Sequence, residues 1–91
     1  MSLADLEKRA ALQILHYLYK KESATRTDLR KNIKAAMETV YSALVVLKDL
    51  GLVEESVNNS FAGTKVVYLS EKGVIVAKRL VEIEEILKSE E

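Results

Sequence analysis

Between Lys20 and Lys34 the chain gathers six basic residues, Lys20, Lys21, Arg26, Arg30, Lys31 and Lys34, against two acids, Glu22 and Asp28. The local excess of +4 suits closely spaced anions such as a phosphate backbone. Immediately downstream lie Thr39 and Ser42, hydroxyl side chains that both donate and accept hydrogen bonds, with Tyr41, Val45 and Lys48 interleaved. The remainder of the chain compensates. Residues 35–57 sum to −3 and residues 58–91 to −1, so that 14 bases and 14 acids leave no net charge. A generic polyanion-coating protein is therefore not expected; a localised cationic face is.

Other chemistry is poorly represented. There is no Cys and a single His, His16, so neither a Cys/His zinc site nor a Ser-His-Asp or Cys-His nucleophile set can be assembled. Metal sensing lacks its ligands for the same reason. Gly51, Gly63 and Gly73 are too dispersed to cradle a phosphate. Glu54-Glu55 and Glu84-Glu85 read as solvated acids, and His16, between Leu15 and Tyr17, as a structural or surface imidazole. The expectation is a protein that is not an enzyme and needs no metal or cofactor.

Ninety-one residues, 48% apolar and 31% charged, make one globular domain with a small core. With disulfides and metals unavailable, oligomerisation is the remaining common route to further burial. No apolar run approaches the ~18 residues of a membrane span. Asp5, Glu7, Lys8 and Arg9 interrupt any apolar leader core, so a soluble, cytoplasmic chain is expected.

The hydrophobic pattern supplies the elements that must position the cationic face. Leu3, Leu6, Ala10, Ile14 and Leu18 recur at helical spacing and predict a helix over 3–20. Thr25 is placed to cap a short helix running to about Asn32, with Asp28 completing a capping-box variant. Val40, Ala43, Leu44, Leu47 and Leu50 mark the inner side of a helix over 36–50, and Gly51 and Leu52 suit a Schellman ending. Residues 52–57 and 64–69 predict two strands joined by the turn-rich segment 58–63. Ser70 caps a last helix, 71–88, in which Val76, Leu80, Ile83 and Leu87 form a heptad seam. The fold class is thus mainly α with a two-stranded β wing, in the order α-α-α-β-β-α.

Residues 28–53 resemble the winged helix-turn-helix of small prokaryotic transcription regulators. The matching residues are Leu29, Thr39-Val40, Leu47 and Leu50-Gly51-Leu52-Val53. The run Tyr68-Leu69-Ser70-Glu71-Lys72-Gly73 is similar to the strand-to-helix junction of the MarR type and its PadR relatives. The resemblance implies double-stranded DNA as partner, with helix 36–50 in the major groove. It puts Thr39, Tyr41, Ser42, Val45 and Lys48 on the reading face. Thr25, Arg26, Thr27, Arg30, Lys31 and Lys34 would lie near phosphates, and Asn58, Asn59 and Lys65 on the wing. The reading helix carries no Arg, Asn or Gln, so direct base readout is expected to be modest and affinity led by phosphates. Helix one and the last helix offer more apolar surface than so small a monomer covers. A homodimer is therefore expected through Leu6, Ala10, Val76, Leu80, Ile83 and Leu87, with 71–88 as its dimerisation helix. An alternative is a winged-helix protein–protein module whose weakly polar third helix docks another protein.

Overall fold

The computed structural model describes residues 3–58 and 64–89. The chain opens with a 3₁₀ helix, Leu3–Glu7, followed by helix α1, Ala11–Lys21. The single helix expected over 3–20 is thus broken: Ala10 adopts a left-handed φ of 75°. That conformation costs an alanine about 1–2 kcal/mol. The break still brings both Leu6 and Ala10 into the core, which satisfies the hydrophobic periodicity by another route.

Strand β1, Ser23–Thr25, leads directly into helix α2, Arg26–Asn32. Helix α3, Met37–Asp49, is followed by strands β2, Val53–Asn58, and β3, Thr64–Leu69, and by helix α4, Glu71–Lys88. The sheet is antiparallel with three strands in the order β1-β3-β2. The wing hairpin matches the expected strands, with Val53 opposite Leu69 and Asn58 opposite Thr64. The third strand was not expected. Ser23, Ala24 and Thr25 pair with Tyr68, Val67 and Val66, and this anchors the wing to the start of α2.

One core joins these elements. Ile14, Leu15 and Leu18 of α1, Leu29 of α2, Val40 and Leu47 of α3 and Val67 of β3 are its largest fully buried side chains. In α4 only Gly73 and Ala77 are buried, while Val76 and Leu80 pack on the core edge. The rest of α4 contains no buried residue, and the described chain is elongated, 50 × 27 × 26 Å. Among the described residues no helix is long and apolar enough to cross a membrane.

Two caps fix the relative placement of α3, the wing and α4. At the end of α3 the Gly51 N–H donates to the Lys48 carbonyl and the Leu52 N–H to the Leu47 carbonyl, both at 3.0 Å. With Gly51 at φ 77°, this is the Schellman ending expected from the sequence. At the start of α4 the Ser70 hydroxyl accepts from the Gly73 N–H at 3.0 Å and donates to the Gly51 carbonyl at 2.6 Å. The two caps are therefore joined to each other.

Candidate nucleic-acid interface

Helix α2 begins with a reciprocal cap. The Asp28 N–H donates to the Thr25 hydroxyl at 3.1 Å, and the Thr25 N–H donates to the Asp28 carboxylate at 3.0 Å. Two otherwise orphaned helix donors are satisfied in this way. The Thr25 hydroxyl, one of the residues expected near phosphates, is thus engaged in a structural role. Thr27, Arg30, Lys31 and Lys34 are exposed. Arg30, Lys31 and Lys34 have no acidic partner among the described residues. The Lys34 N–H donates to Gln13 Oε1 at 3.1 Å, which ties the α2–α3 turn to α1 and leaves the Lys34 ammonium outside.

Helix α3 turns Val40, Ala43, Leu44 and Leu47 inward. Its opposite side leaves Tyr41, Ser42, Val45 and Lys48 exposed, with Thr39 half-buried. Ala36 at its N-cap supplies no side-chain acceptor, as the sequence indicates. Among the described residues the reading face expected from the sequence is therefore continuous and uncovered. Its polar groups are hydroxyls, one ammonium and the exposed Glu38.

Glu55 organises the neighbouring charge. Arg26 donates from Nε and Nη2 to Glu55 Oε2 at 3.2 and 3.0 Å, and Lys48 Nζ donates to Glu55 Oε1. The Arg26 guanidinium also lies over the Tyr41 ring, 4.9 Å from its centroid, a cation–π arrangement. Partial burial pushes the Glu55 carboxyl up. The bonds from Lys48 and Arg26 outweigh this, so the group is held below the usual carboxylate range. The bond to Glu55 is also the main reason that Arg26 is raised, against the lowering effect of its own burial.

The reading of Glu54-Glu55 as two solvated acids is corrected at Glu55, whose side chain is only 11% exposed. Strand alternation separates the pair: Glu54 stays exposed and accepts from the Tyr68 hydroxyl at 3.2 Å. Glu55 was missed because its partners lie 29 and 7 positions away. The available signal was its spacing two positions from core-facing Val53, which puts both on the same face of the strand.

Two shallow depressions collect some of the expected contacts. Arg26, Thr27, Arg30, Met37 and Tyr41 line one, and Met37 was not among the expected site residues. Lys48, Glu55, Ser56, Val57 and Lys65 line the other. Arg26, Glu55 and Lys48 connect the two. On the wing, Asn58 ends β2 and Lys65 is exposed on β3. Asn59 lies outside the described residues.

The six residues expected at a dimer interface separate into three groups. Leu6 and Ala10 are buried in the chain's own core. Val76 and Leu80 are half-buried against it. Ile83 and Leu87 are 50% and 79% exposed. Ile83 and Leu87 line an apolar groove with Leu12, His16, Leu80 and Glu84. At its rim His16 Nε2 stands 3.3 Å from Glu84 Oε1, which places the lone imidazole in a surface bridge between α1 and α4. Among the described residues no group of three or more His, Cys, Asp or Glu side chains is placed to hold a metal ion.

No family model and no curated protein sequence matches the chain. Solved structures do. A doubly substituted ZitR of Lactococcus lactis in its apo form superposes with a TM-score of 0.81 at 24% identity, over 92% of this chain and 63% of that one. A second ZitR structure, at 25% identity and TM-score 0.76, covers 84% of this chain and 51% of its own. The chain thus spans between about half and two-thirds of the ZitR chains. A transcriptional regulator homologue from Pyrococcus horikoshii matches at TM-score 0.77 and 22% identity, over 98% and 93% of the two chains. The reduced form of MarR from E. coli matches at 0.74 and 22%, over 85% and 57%. With its capped α2, outward-facing α3 and sheet-anchored wing, the chain has the winged helix-turn-helix fold of the MarR-type regulators.

Proposed function

We propose that the chain binds double-stranded DNA sequence-specifically, as a homodimeric transcription regulator. The observation that carries this reading is the exposed trio Arg30, Lys31 and Lys34, without acidic partners among the described residues, beside the exposed outer face of α3. In this reading α3 enters the major groove. Thr39, Tyr41, Ser42 and Val45 meet base edges and thymine methyls, and α2 and the wing grip the backbone through Thr27, Arg30, Lys31, Lys34 and Lys65. The second copy covers the groove lined by Leu12, Leu80, Ile83 and Leu87. A two-fold axis there would set the two α3 helices about one DNA turn, ~34 Å, apart.

The protein–protein alternative is favoured by one observation, the 58% exposure of Val45 in the middle of the α3 face. Titration of duplex DNA against salt separates the two readings. DNA binding gives a log–log slope on the order of −0.9 per phosphate neutralised. Changing Arg30 and Lys31 together to Ala flattens that slope by up to about two units. Absence of binding at low salt, or a slope indifferent to both changes, would leave the protein–protein reading.

A further inference from the structure

Glu55 occupies an unusual position for an acid, in the middle of a surface whose other charged members are mainly cations. Both of its oxygens are used, Oε2 by Arg26 and Oε1 by Lys48. A guanidinium has five N–H donors and an ammonium three. Arg26 gives Glu55 a hydrogen from each of two nitrogens and Lys48 gives one, so both retain donors that point elsewhere. The Tyr41 ring beneath Arg26 fixes the plane of the guanidinium. The three elements that would meet DNA, α2, α3 and the wing, are thereby locked through one carboxylate.

Resting on the DNA-binding reading above, we infer that Glu55 is a specificity-determining residue of this surface. It acts in two opposing ways. Its charge repels phosphates whatever the sequence, a penalty that every duplex meets. Its bonds hold the spare donors of Arg26 and Lys48 in one arrangement. The conformational entropy otherwise lost when long side chains are ordered on binding is thus already spent. Only a duplex whose acceptors coincide with those donors recovers this advantage. The carboxylate therefore suppresses binding to arbitrary DNA and spares binding to matched DNA.

The test compares two duplexes, one selected by the full wild-type chain from a random pool and one of the same length and composition with its bases shuffled. In Glu55→Gln, affinity for the shuffled duplex rises about 3–10-fold and its salt slope steepens by about one unit. The selected-to-shuffled affinity ratio falls at least as far. Glu54→Gln removes the same charge from the opposite face of the same strand and leaves the ratio unmoved. Glu55→Asp keeps the charge but shortens the reach. It preserves weak binding to the shuffled duplex and weakens binding to the selected one, and it decides the matter if Glu55→Gln does not fold. An unchanged ratio in Glu55→Gln, or an equal fall in Glu54→Gln, overturns the role of Glu55. Failure of the wild-type chain to select any duplex would instead overturn the DNA-binding reading itself.

Discussion

Gly73 stands against the backbone of Leu52 so closely that a β-carbon on it would lie 1.9 Å from the Leu52 carbonyl oxygen. Around this approach the Ser70 N–H donates to the same carbonyl at 3.0 Å, and Lys72 Nζ reaches the Leu50 carbonyl at 3.3 Å. The end of the helix that would read DNA is therefore seated on the start of the helix that would form the dimer. The end of α3 and the start of α4 thus meet through backbone.

Gly73→Ala is accordingly expected to be severe. The methyl meets a carbonyl rather than a flexible side chain, so the helix start or the turn must move, at a cost of about 2–4 kcal/mol. Gly51→Ala has open space around its β-carbon and is opposed only by its positive φ, at about 1 kcal/mol. Urea unfolding midpoints check both. A smaller loss at Gly73 than at Gly51 would mean that the α3–α4 joint yields easily.

Acid should find the Glu55 bridge. Its carboxyl lies below its ordinary value in the folded chain and returns to that value on unfolding, so the unfolded state binds more protons as pH falls. The contribution is complete above about pH 5 and is lost as pH descends through the lowered folded value. Glu55→Gln removes this component. Arg26 is partly exposed and screened, so the difference between wild type and variant amounts to about 0.5–1 kcal/mol at neutral pH and narrows toward pH 3. Thermal unfolding across pH 3–7 measures it; parallel curves would show that the bridge contributes nothing.

The groove between α1 and α4 makes a separate prediction. Ile83 and Leu87 are exposed in one chain, whereas Leu80 also packs on the core. Ile83→Glu with Leu87→Glu should abolish the dimer with little loss of monomer stability, within about 0.5 kcal/mol. Sedimentation should report half the wild-type mass. A wild-type chain that is already monomeric, or a doubly substituted chain of unchanged mass, would refute this interface.

What could be read from the sequence was local. Thr25 with Asp28, Gly51 with Leu52, and Ser70 each specify a cap through residues within five positions, and each cap forms as expected. The α3 stripe fixed which side faces outward because helix period alone decides it. The wing strands followed from β-branched residues on either side of a turn-rich segment. The parts that were not legible depend on tertiary partners. Ser23–Thr25 is too short to announce a strand and exists because β3 offers a free edge. Leu6 and Ala10 carry a helical spacing that the chain satisfies with a break instead. Glu55 resembled its neighbour Glu54 until the fold brought Arg26 and Lys48 to it. That the runs Leu50-Gly51-Leu52-Val53 and Ser70-Glu71-Lys72-Gly73 touch each other was equally invisible, because a run of residues carries no record of which other run it meets.

In the proposed complex the outer face of α3 and the cations of α2 meet duplex DNA together, in two symmetric copies. Selection of bound duplexes from a random pool by the full wild-type chain tests it most directly. The expected result is enrichment of an inverted repeat whose half-site centres lie about one helical turn apart, about 10–10.5 base pairs. Enrichment that disappears in the Arg30→Ala, Lys31→Ala chain would assign the binding to this surface. A pool that remains unenriched at low salt, or sites retained in full by that doubly substituted chain, would contradict it.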